Sequence, residues 1–141
     1  SAFLTCPVCL ALNTLIDTPN GSLPIQDLKK GMSIWTLDSS GARRAAVVAE
    51  TVARPVPVDF AIVHLVLDDG RELFVSAPHP TADGRTAGAI RVGDVLDGAR
   101  VLVTEKVLYG YEATYDVLPS GETGLYWANG VLLKTTLQAS R

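Results

Sequence analysis

Reactive side chains are scarce in this chain of 141 residues, which holds only two cysteines, two histidines and one methionine. Two cysteines cannot build the disulfide framework of a small secreted fold. No second cysteine pair faces Cys6-Pro-Val-Cys9 to complete a zinc site, for which only His64 and His79 remain. Basic blocks are missing as well: nothing exceeds Lys29-Lys30 or Arg43-Arg44, the two signs are interspersed, and the net charge is −3. That leaves no electrostatic footprint for nucleic acid or for an acidic membrane face. No uninterrupted apolar run reaches the roughly 20 residues of a membrane helix, so no membrane span is expected. The start, Ser1-Ala-Phe-Leu-Thr5, is too short for a signal peptide and fits the remnant of a trimmed leader or tether. The compartment is therefore open, and a secreted or membrane-tethered location would depend on a segment upstream of this sequence.

What the chain does have is apolar alternation. With 48% hydrophobic residues it can bury the core of one domain. Period-two patterns predict strands over 14–18, 32–37, 44–52, 60–67, 72–76, 101–108, 113–118 and 125–128. Between them stand turn signals such as Pro19-Asn20-Gly21, Asp69-Gly70, Asp97-Gly98 and Asn129-Gly130. Only 23–29 and 86–91 suit short helical turns. The expected architecture is an all-β, barrel-like antiparallel domain rather than βαβ units. An internal echo, Leu28-Lys-Lys-Gly-Met-Ser-Ile34 against Ile90-Arg-Val-Gly-Asp-Val-Leu96, suggests two related halves with pseudo-two-fold symmetry.

Three motifs in order give the chain a resemblance. Cys9 heads an alternating run that reaches Gly21 and Ile25-Gln-Asp-Leu28-Lys-Lys-Gly31; Ser76-Ala-Pro-His79 ends another strand; Tyr115-Asp116 precedes the Ala128-Asn129-Gly130 hairpin. This arrangement resembles the Hint superfamily of Hedgehog autoprocessing domains, inteins and bacterial intein-like domains. The resemblance implies a Hint domain over 9–141, with 1–8 as an upstream flanking segment. It also implies a monomer whose substrate is its own upstream segment, with no metal or organic cofactor.

The residue types fit such chemistry. A Cys9 thiolate is a strong nucleophile, although only a few per cent of an unperturbed thiol is ionised at neutral pH. Attack on the Val8 carbonyl would exchange the Val8-Cys9 peptide bond for a thioester. His79 suits the acid that protonates the departing nitrogen. Ser76 can hold the scissile amide and Asp116 can exchange a proton with the thiol. Asn129, or a backbone N–H, is the candidate oxyanion donor. Water, a small thiol or an amine would then accept the acyl group.

Relatives that splice carry histidine-asparagine after the hairpin, where Lys134 and Thr135 stand here, followed by Thr136. Without the asparagine amide there is no cyclisation, so the resemblance implies cleavage at Val8-Cys9 without normal splicing. Cys6 and Cys9 suit a local disulfide that masks the nucleophile until it is reduced. A thioredoxin-type redox pair, half a zinc site and two incidental thiols are the other readings of that pair. The competing function is a Hint-fold binding or tethering module, stabilised by the disulfide, that does not process itself. His64 lies in an apolar strand and reads as a hydrogen-bonded strand residue. Trp35, Trp127 and the tyrosines read as packing.

Overall fold

The computed structural model describes residues 9–138, and Cys6 and Val8 therefore lie outside the described residues. Eleven strands run in the order β1 (Leu15–Thr18), β2 (Gly21–Pro24), β3 (Ser33–Leu37), β4 (Arg43–Pro55), β5 (Ala61–Leu67), β6 (Glu72–Val75), β7 (Val95–Leu96), β8 (Ala99–Leu108), β9 (Ala113–Pro119), β10 (Leu125–Ala128) and β11 (Val131–Lys134). They form three antiparallel sheets, ordered β11-β10-β1-β2, β3-β4-β9 and β6-β5-β8-β7. The all-β expectation holds.

Alternation decides which side chains enter the core. Along β10, Tyr126 and Ala128 point inward while Leu125 and Trp127 stay half-buried. Along β5, Val63, Leu65 and Leu67 enter the same core as Leu73 and Val75 of β6. The Asn129-Gly130 turn joins β10 to β11 with both residues at positive φ (50° and 79°). That is the type I′ geometry whose twist matches the flanking strands.

The internal echo is real in the backbone. A 3-10 turn at Ile25–Asp27 and another at Ala87–Ala89 each lead into a buried residue, Leu28 or Ile90. Thereafter the hydrogen bonds repeat: Gly31 N–H to Val48 O and Val48 N–H to Met32 O in one half, Gly93 N–H to Val101 O and Val101 N–H to Asp94 O in the other. The two short helical segments are thus single 3-10 turns, each feeding a strand that pairs with the next.

Two surface features confirm structural roles. His64 lies on β5, its Nε2 2.6 Å from Glu72 Oε2, its Nδ1 2.9 Å from Glu105 Oε2, and its ring stacked on Phe74 at 4.2 Å. Burial opposes its charge, but the two carboxylates outweigh it and raise the pKa above the ordinary 6.5. Trp35 and Trp127 sandwich the Arg43 guanidinium at 4.8 and 4.7 Å from their ring centroids.

Candidate active site

Residues 9–11 lie between two sheets. Leu10 N–H donates to Tyr115 O (2.7 Å) and Tyr115 N–H returns a bond to Leu10 O (2.8 Å). On the other side, Ser76 N–H donates to Cys9 O (3.0 Å) and Ala11 N–H to Phe74 O (3.2 Å). The antiparallel Leu10↔Tyr115 bridge sets Cys9 opposite Asp116 and Ala11 opposite Thr114. Because paired residues share a face, Cys9, Thr114 and Asp116 all face one side of this strand pair.

Cys9 is fully buried and forms no disulfide among the described residues, which do not include Cys6. Its N–H, the amide hydrogen of the Val8-Cys9 bond, donates to Ser76 Oγ at 2.7 Å. Burial, and then the charge of Asp116, push the thiol pKa from 9.0 up to about 12. Thr114 and Arg54 pull the other way by interacting with the ionised sulfur. Arg54 is exposed on β4, directly across from Thr114 in the β4–β9 register. Thr114 Oγ1 is buried and has no full hydrogen-bond partner among the described residues.

Ser76 and His79 form the ends of a tight turn closed by His79 N–H to Ser76 O (3.0 Å). The turn rests on the second 3-10 segment, through Gly88 N–H to Ala77 O (2.8 Å) and Ala87 N–H to His79 O (2.9 Å). Contact here is so close that a Cβ on Gly88 would stand 2.8 Å from Ala77 Cβ. Any side chain at 88 therefore displaces the turn that carries both site residues.

His79 is fully buried. Its Nδ1 has no partner among the described residues, and its Nε2 is 3.5 Å from the Tyr126 hydroxyl. Burial lowers its pKa, against smaller opposing effects from Asp116 and the Lys134 backbone. The unfolded chain therefore takes up a proton near pH 6.5 that the folded protein refuses. Stability from this group is full above about pH 6.5 and is lost as pH falls. His64, with its raised pKa, acts in the opposite sense, since its contribution is present at acid pH and lost as pH rises above 6.5. The change in urea midpoint from pH 7 to pH 5 should accordingly be more negative in the parent than in His79→Gln; an equal change in the two would mean that His79 contributes nothing to the acid limb.

Asp116 lies on β9, 1% exposed. Its Oδ1 accepts from the Tyr126 hydroxyl (2.6 Å) and from Val117 N–H (2.8 Å); its Oδ2 accepts from Thr136 N–H (2.8 Å) and from the Thr136 hydroxyl. The chain after β11 thus closes over the carboxylate. Asn129 is engaged elsewhere, accepting from Leu15 N–H (2.7 Å) and donating to Glu72 O (3.0 Å), which ties β10 to β1 and β6.

The structure therefore brings Cys9, Ser76, His79 and Asp116 into one buried cluster, adds the buried Tyr126 and Thr114 and the half-buried Thr136, and sets the exposed Arg54 at its edge. Tyr126 reads as packing in the sequence, yet its hydroxyl is wired into the site. The available signal was its inward phase in a four-residue strand, with a polar atom that a core must satisfy.

Solved structures share this arrangement of strands. A bacterial intein-like domain from Clostridium thermocellum superposes with a TM-score of 0.77 at 21% identity, covering 92% of this chain and 99% of that one. The fold is that of the inteins. A DnaB intein from Synechocystis sp. PCC 6803 has a TM-score of 0.77 at 16% identity, and the gp41-1 intein 0.71 at 23%, each covering 92% of this chain and 99% of the other. No family model matches the sequence, and no curated protein matches it significantly. On this fold Lys134 ends β11 and Thr135 and Thr136 follow it, with Thr135 donating its hydroxyl to Val117 O (2.6 Å).

Proposed function

We propose that this domain cleaves its own chain at Val8-Cys9 by an N-to-S acyl shift. The observation that carries the reading is the contact between the Cys9 amide and Ser76 Oγ, inside a buried cluster that also holds the thiol, His79 and Asp116. The Cys9 thiol gives its proton to Asp116, and the sulfur bonds to the Val8 carbonyl carbon. As the tetrahedral adduct collapses, the C–N bond breaks and His79 delivers a proton to the nitrogen, which becomes the amine of Cys9. Val8 is left as a thioester, and water, a small thiol or an amine takes the acyl group and releases the thiol. Ser76 accepts the amide hydrogen and so fixes the orientation of the bond to be broken beside the thiol.

The raised thiol pKa means that the sulfur needs a base within the site before it can attack. At neutral pH only on the order of one thiol in 10⁵ is ionised without help, so a base in contact is needed. A disulfide between Cys6 and Cys9 would silence the nucleophile entirely and make cleavage await a reductant. The absence of asparagine at 135 supports cleavage without splicing.

The test follows the mass of the intact chain with and without a thiol reductant. The expected result is loss of residues 1–8 after reduction, with a thiol adduct or free acid at Val8. Cys9→Ala should abolish the loss, and Cys6→Ala should remove the need for reductant. A constant mass under both conditions, in folded protein, would replace this reading with the non-processing binding module.

A further inference from the structure

The acid and the base of the proposed reaction are joined by a third buried group. Tyr126 is fully buried, its hydroxyl 2.6 Å from Asp116 Oδ1 and 3.5 Å from His79 Nε2. The far nitrogen of the same imidazole, Nδ1, has no partner among the described residues. Asp116 stands opposite Cys9 across the Leu10↔Tyr115 bridge. Cys9 and Asp116 thus share one face of paired strands, and the Tyr126 hydroxyl stands between Asp116 and His79.

We infer that Tyr126 is a proton relay, returning the proton that Asp116 takes from Cys9 to the imidazole of His79. The inference rests on the acyl-shift reading. The balance is closed: the Cys9 S–H proton passes to Asp116, the Asp116 proton to the Tyr126 oxygen, and the Tyr126 proton to His79 Nε2. The proton on His79 Nδ1 passes to the departing nitrogen. No net charge accumulates and none is exchanged with solvent, which suits a site where all four groups are buried. Afterwards His79 holds its proton on Nε2, Asp116 is again a carboxylate and Tyr126 again a phenol. A relay of neutral donors also removes the need for a buried imidazolium, whose desolvation would be costly.

A purely structural Tyr126, serving only to orient Asp116, is the competing role, and two measurements separate them. The first uses Cys9→Ala protein, which cannot cleave, and reads the ring nitrogens of His79 by ¹⁵N NMR. Tyr126→Phe should shift the Nε2 resonance; an unchanged ring spectrum overturns the link between Tyr126 and His79. The second measures reductant-triggered cleavage in mixtures of H₂O and D₂O. The parent should give a bowed dependence on deuterium fraction, as expected for several protons in flight. Tyr126→Phe should cleave roughly ten- to a hundredfold more slowly and give a straight line, as loss of one proton-transfer path predicts. A slower rate with the parent's curvature, or an unchanged rate, overturns the relay. A parent that never cleaves overturns the function instead, and the NMR result then decides the wiring alone.

Discussion

His79→Gln should slow thioester formation at Val8-Cys9 by about 10²- to 10⁴-fold while leaving the fold intact. An amide nitrogen leaves only if it is protonated as the bond breaks, and His79 is the buried titratable group that offers an unpartnered nitrogen in the cluster. Glutamine keeps a polar, planar terminus of similar reach but cannot pass a proton from one side to the other. The rate is read by mass after addition of reductant. Because the thiol passes its proton to Asp116 rather than to solvent, thioester formation in the parent should change little between pH 7 and pH 9. A variant that cleaves at the parent's rate would remove His79 from the mechanism.

Leu10→Ala should cost about 3 kcal/mol of stability and lower the melting temperature by about 10 °C. Leu10 is completely buried, belongs to the main core and pairs with both Val75 and Tyr115. Truncation leaves a cavity between sheets that the backbone bonds on either side prevent from collapsing. Val58, 92% exposed, is the matched control, and its change to alanine should stay within about 0.5 kcal/mol. Thermal unfolding of the two variants reads the difference directly, and a loss below 1 kcal/mol at Leu10 would mean that residues 9–11 do not join the sheets in solution.

Most of the frame is legible in the sequence because half-buried strands carry period-two alternation, as at 60–67 and 72–76. Strands β2 and β7 escape it: Gly-Ser-Leu-Pro and Val-Leu are too short to show a period and exist because a neighbouring strand pairs with them. The strand at 44–52 extends in fact to Pro55, and that extension brings Arg54 beside the site, which no local pattern indicates. Cys9, Ser76, His79 and Asp116 are marked by chemical type and order along the chain. Tyr126 and Thr114 are not, because their meaning lies in which buried atom they meet across strands. Thr136 is placed by the sequence only as the residue after Lys134 and Thr135, whereas in the fold its hydroxyl and N–H both hold Asp116.

The strut at residues 9–11 does two jobs whose locations differ by one peptide unit. Among the described residues, the backbone bonds by which this strut joins the sheets begin at the Cys9 carbonyl, whereas the bond to be cut lies on the amino side of Cys9. Scission there severs the thread outside the seam. The trimmed domain would keep the stitching made by residues 9–11, with Cys9 as a new chain end still seated among Ser76, His79 and Asp116, so that processing removes the cargo and leaves this seam of the tool in place.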